Sequence, residues 1–122
     1  MILKVLPQEL TVCKVDEVPE GIRGLDFLFF AKTDEEISIV CETKDAPVQT
    51  MAREDGWRAF RIEGVLDFSL VGILSKLSAV LADANIGIFA VSTYNTDYVL
   101  VKAHDLQRAM DALVVAGYEV VQ

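Results

Sequence analysis

The sequence predicts an α+β protein of two related units, the second complete and the first abbreviated. Three observations predict it. From Trp57 onward the apolar spacing switches between strand and helix periods in the order β-α-β-β-α-β. The residues before Trp57 hold four strand-like apolar runs but no amphipathic helix. Thr33-Asp34-Glu35-Glu36-Ile37-Ser38-Ile39-Val40 and Thr96-Asp97-Tyr98-Val99-Leu100-Val101 both enter a strand through Thr-Asp, which hints at an internal repeat. The boundary falls between residues 1–56 and residues 57–122.

Taken in order, Ile2 to Leu6 and Glu9 to Val15 are apolar runs separated only by Pro7-Gln8, which predicts a hairpin. Asp16 to Leu25 contains Pro19, Gly21 and Gly24, so at most one helical turn fits there. Asp26 to Lys32 and Ile37 to Glu42 are strands joined by a turn at Thr33 to Glu36, and Thr43 to Gly56 reads as a polar loop with room for one short helix. Trp57 to Glu63 alternates, with Phe60 and Ile62 on one side and Arg61 and Glu63 on the other, as a strand with one wet face does.

Leu70, Ile73, Leu74, Leu77, Val80, Leu81 and Ala84 then mark one face of a helix, with Ser69 at the N-cap and Gly72 in the first turn. Ile86 to Tyr94 and Asp97 to Lys102 are strands around the Asn95-Thr96 turn. Leu106, Ala109, Met110, Leu113 and Val114 give a second helix that ends at Gly117, and Tyr118 to Val121 closes as a strand. This order is the ferredoxin-like one, in which two helices cover one face of a four-stranded antiparallel sheet.

Composition narrows the function. The chain of 122 residues is 52% hydrophobic, which excludes a disordered protein, and its net charge of −8 with no basic stripe argues against nucleic acid. No apolar run approaches the roughly 20 residues a membrane-spanning helix needs, and the N-terminus lacks signal-peptide features, so no membrane partner and a cytoplasmic location are expected. Cys13 and Cys41 stand alone in apolar strands, without the Cys/His spacing of a zinc site, and are read as buried free thiols. No metal and no cofactor is expected.

The candidate site gathers around the start of the first long helix. Gly72 lacks a Cβ, so either a small anion approaches the free amides and the positive end of the dipole, or this turn packs closely on a strand. A free amino acid needs donors for its carboxylate and acceptors for its ammonium. Amides around Leu70 to Gly72 would supply the first, and Asp97 or Asp67 the second.

The run Leu70-Val71-Gly72-Ile73-Leu74, the strand ending Ser92-Thr93-Tyr94-Asn95-Thr96-Asp97 and the strand Tyr98-Val99-Leu100-Val101 resemble the ACT domain. The likeness is greater to its tandem variant, found in small bacterial proteins and in the animal cytosolic arginine sensors of the TORC1 pathway. Glu36-Ile37-Ser38-Ile39-Val40-Cys41 resembles the matching strand of the preceding unit. The resemblance implies two ACT-like units acting as a non-catalytic regulatory module, with an amino acid or related metabolite held between them and an enzyme or other protein as the regulated partner. It further implies a site made of Ser38 and Ile39, of Asp67, Phe68, Ser69, Leu70 and Gly72, and of Thr96 and Asp97. The acidic contact that the arginine sensors carry before the helix has a displaced counterpart in Asp67.

Two other classes compete. An enzyme would use Asp67 with Asp97, or Cys41 with His104, but His104 adjoins Asp105 at a helix start and no third group orients either pair. An interaction module would use the first unit's sheet, which lacks cover helices, with Phe27, Phe29 and Phe30 partly interfacial; a homodimer is the expectation on this count.

Overall fold

The computed structural model describes residues 1–64 and 71–122. Along them run strands β1 (Ile2–Val5), β2 (Leu10–Val15), β3 (Leu28–Lys32), β4 (Ile37–Glu42), β5 (Ala52–Ile62), β6 (Phe89–Ser92), β7 (Asp97–Lys102) and β8 (Glu119–Val121). The helices are α1 (Ile73–Asp83) and α2 (Leu106–Val115). Contacts divide the chain into two units, Met1–Pro7 with Arg58–Gln122, and Gln8–Trp57. The α+β class holds, and the residues from Trp57 on keep the expected β-α-β-β-α-β order.

The predicted hairpin does not form. β1 pairs antiparallel with the last residues of β5 (Leu3 with Ile62, Val5 with Phe60) and parallel with β8 (Leu3 with Val120), whereas β2 pairs with β4 and with the first part of β5. The reason lies in the connection: a two-residue hairpin loop needs positive φ at its central residues, and Pro7 is locked near −65°. β1 therefore lies between β5 and β8, and the expected four-stranded antiparallel sheet becomes a five-stranded one with one parallel pair.

β5 also begins earlier than alternation suggests. Ala52 to Gly56 reads as loop because it is polar, yet Ala52, Arg53 and Glu54 pair with Lys14, Cys13 and Val12.

The two units repeat one turn, in a different register from the Thr-Asp coincidence. Thr33 N–H donates to Glu36 O and Thr93 N–H to Thr96 O, both at 2.9 Å, so Thr33 corresponds to Thr93 and Ile37 to Asp97. β4 and β7 share one burial pattern, and each runs directly into a 3-10 turn, Thr43–Asp45 and Ala103–Asp105.

The copies part at the next residue. Leu106 is helical (φ −57°, ψ −48°) and starts α2, while Ala46 is extended (φ −62°, ψ 141°) because the ring of Pro47 disfavours the helical region for the residue before it. Between β2 and β3 a single 3-10 turn, Ile22–Gly24, stands where the other unit has α1.

Each unit has its own core. Leu3, Val5, Phe60, Ile62, Val99 and Val101 pack with Leu77 and Leu81 of α1 and Ala109 and Leu113 of α2. Burial of each large aliphatic or aromatic side chain stabilises by about 1.5–3 kcal/mol. In the Gln8–Trp57 unit Cys13, Val15, Ile39 and Cys41 pack with Ile22 of the 3-10 turn, and Leu25 and Ala46 cover them in place of helices.

Candidate functional site

The head of β7 is tied to the end of β5 by one buried bond. Thr96 is 6% exposed, and its Oγ1 donates to the carbonyl of Ile62 at 2.6 Å. Thr93 closes the turn, donating from both its amide and its hydroxyl to Thr96 O. The hydroxyl proton of Thr96 is thus engaged within the protein. Replacing it by Val leaves the buried carbonyl of Ile62 without that donor, so Thr96→Val is expected to cost about 1–3 kcal/mol in chemical denaturation. A loss below about 0.5 kcal/mol would show that the bond does not hold the strands together.

Asp97 follows immediately and pairs with Ser92. Side chains alternate along a strand, so Asp97 lies on the face of β7 that carries Val99 and Val101 into the helix-covered core. Its repeat counterpart, Ile37, packs against the core of the other unit. A carboxylate thus occupies a register position built for an apolar side chain, partly buried rather than fully exposed. Aligning the two copies on Thr33 and Thr93 would have exposed this contrast from the sequence.

Gly72 is the N-cap of α1, not a first-turn residue. It adopts left-handed φ 80°, and its carbonyl accepts the first helical bond, from Lys76 N–H at 2.9 Å. A glycine inside the first turn costs about 1 kcal/mol, whereas at φ 80° it is the residue of choice, so the helix starts at Ile73. An added Cβ would meet nothing within 4 Å among the described residues, strands included, so close packing on a strand is not why glycine stands here. Gly72 has no side chain to cap α1, and the first amides of the helix have no intrahelical acceptor. Asp67, Phe68, Ser69 and Leu70, expected to complete this part of the site, and Ser69 as a cap, lie outside the described residues.

Ser38 and Ile39 belong to the Gln8–Trp57 unit. Ser38 is half-buried in β4 between Lys14 and Ala31, and Ile39 is fully buried in that unit's core. Thr96, Asp97 and Gly72 belong to the other unit.

One polar cluster of the Gln8–Trp57 unit was not foreseen. Thr11, fully buried, donates to Asp55 Oδ1 at 2.7 Å, with Thr43 Oγ1 at 2.9 Å. Arg53 grips both oxygens of Asp55, at 2.8 and 3.3 Å, which raises the Arg53 pKa further. The spacing Arg53-x-Asp55 was the available signal, since i and i+2 share one face of a strand.

The thiols are buried and free. Burial, then the neighbouring Cys13 and Asp45, push the Cys41 thiol up to about 11, and burial raises Cys13 as well. The folded state therefore prefers the protonated thiol. That preference stabilises fully below the ordinary value near 9 and is lost as pH rises through about 11. Stability measured between pH 8 and 11 is expected to fall by about 2 kcal/mol more in the wild type than in Cys41→Ala; equal slopes would refute the assignment.

His104 is exposed beside Asp105, at 3.6 Å, with Arg108 on the other oxygen of that carboxylate at 2.7 Å. Among the described residues no group of His, Cys, Asp and Glu has a metal-binding arrangement, and no helix is long and apolar enough to cross a membrane.

The unit from Trp57 on thus has the βαββαβ order of a ferredoxin-like fold, with an acidic residue at the head of β7 on the face that carries Val99 and Val101. A model of the ACT domain matches residues 52–114, and the chain belongs to the ACT domain family. It is similar to protein Atu0741 of Agobacterium tumefaciens, at 31% identity over 98% of this chain and 91% of that one, with a TM-score of 0.88. A Vibrio cholerae protein of unknown function, described as a possible transport protein, matches at 17% identity over 93% and 87% of the two chains, with a TM-score of 0.72. The regulatory subunit of aspartate kinase from Thermus thermophilus shares the fold at 13% identity over 94% and 96%, with a TM-score of 0.64. No curated protein matches.

Proposed function

We propose that this chain is a non-catalytic regulatory module that binds a free amino acid and passes its occupancy to a partner protein. The observation that carries the reading is Asp97, a carboxylate at the strand position where the other copy has the core residue Ile37. A carboxylate kept there has a use in accepting a ligand's ammonium, and the first amides of α1, which have no intrahelical acceptor, are placed to donate to its carboxylate. Membership of the ACT family and the fold shared with an aspartate kinase regulatory subunit support the same reading.

Thermal shift with each of the twenty amino acids tests it. At least one is expected to raise the melting temperature, and Asp97→Ala is expected to abolish that rise while leaving the ligand-free melting temperature nearly unchanged. A shift that survives Asp97→Ala removes the residue from the site. Placement of the ligand between the two units, as the sequence reading has it, rests on Ser38: Ser38→Val should weaken the same shift. Self-association is read from the light-scattering mass with and without the stabilising amino acid.

A further inference from the structure

The Gln8–Trp57 unit carries an open cleft of about 850 Å³, lined by the segments 15–20 and 46–51. These are the β2–β3 and β4–β5 connections, the topological counterparts of the connections that form α1 and α2 in the other unit. Its charged lining is of one sign: Asp16, Glu17 and Glu20, with no Lys, Arg or His among the lining residues. Apolar side chains stand uncovered among them, Val18 at 41% exposure, Met51 at 62% and Val48 at 97%.

We propose that this cleft is a docking groove for a cationic amphipathic helix of a partner protein. The occupant follows from two features of the molecule. In the unit that has cover helices, each lays an apolar stripe on the sheet, Leu77 and Leu81 from α1 and Ala109 and Leu113 from α2. The abbreviated unit supplies loops there instead, and a helix from outside brings the apolar stripe that Val18, Val48 and Met51 are placed to receive. The carboxylates select its polar edge, since Lys or Arg flanking that stripe meets three acidic lining groups, while Arg53, whose guanidinium reaches the Pro47 carbonyl beside the cleft, is neutralised by Asp55. This groove lies within one unit and does not depend on the amino-acid reading.

Fluorescence anisotropy of the full chain with a labelled leucine-lysine amphipathic peptide of about 18 residues, roughly five helical turns, tests the groove. Saturable binding is expected, weakening as salt rises because the screening length falls from about 30 Å at 0.01 M to about 8 Å at 0.15 M. The leucine-glutamate counterpart is expected not to bind.

The triple change Asp16→Asn, Glu17→Gln, Glu20→Gln should weaken binding about tenfold, the scale of three partly screened charge pairs, and Val48→Ser with Met51→Ser should do the same at high salt. Asp83→Asn, Asp111→Asn and Glu119→Gln make the same charge change in the other unit and should leave binding nearly intact. Absence of binding, equal loss with either triple change, or amide-resonance shifts falling outside residues 15–20 and 46–51 on peptide addition would overturn the proposal.

Discussion

A fragment beginning at Trp57 is expected to fail to fold, although it contains every element of a βαββαβ domain. It lacks β1, which pairs with β5 on one side and β8 on the other. Leu3 is fully buried and Val5 nearly so in the core shared with both helices. Losing their burial removes about 3–6 kcal/mol, against a total stability of about 5–15 kcal/mol for a domain of ordinary size. β8, three residues long, would also have to find a new partner. Circular dichroism of the fragment should show no cooperative thermal transition, and adding a peptide of residues 1–7 should restore one. A fragment that melts cooperatively at the temperature of the full chain would mean that β8 can pair directly with β5 and that β1 is an accessory strand.

Phe60→Ala is expected to be the most damaging single truncation in the same unit. Phe60 is 1% exposed, stands opposite Val5, and belongs to the cluster that joins β1, β5 and the two helices. Removing so large a ring from a packed site costs about 3–5 kcal/mol, transfer and cavity together. The same change at Phe30, 42% exposed on β3, is expected to cost under about 1 kcal/mol. Urea denaturation of the two variants reads the difference directly. Similar midpoints would contradict the assignment of the core.

What could be read from the sequence was what local pattern encodes. β4 and β7 were legible to the residue, because alternation there is bounded by hydrogen-bonded turns at Thr33 to Glu36 and Thr93 to Thr96. α2 was legible from its apolar stripe and from Gly117, whose φ of 101° ends it.

β1 was misplaced because its partners, residues 60–62 and 119–121, are distant in the chain, and long-range pairing leaves no local mark. The first part of β5 was missed because Arg53-Glu54-Asp55 is polar; pairing with β2, and the bond from buried Thr11 to Asp55, override its loop-like composition. Of the two reasons the sequence offers for Gly72, close packing on a strand does not hold. Its left-handed φ at the helix N-cap, not a packing contact, is what calls for glycine.

Of the candidate site residues, the structure assigns Ser38 and Ile39 to one unit and Gly72, Thr96 and Asp97 to the other. Thr96 reads as a ligand contact from the sequence, and in the structure its hydroxyl donates to the carbonyl of Ile62. Asp97 gains weight only when the repeat register sets it against Ile37.

Binding of a free amino acid, as proposed, is tested most directly by titration calorimetry of the full chain with each of the twenty. A saturable heat is expected for at least one of them, lost in Asp97→Ala. No heat for any amino acid, from a protein whose circular dichroism shows it folded, would contradict it.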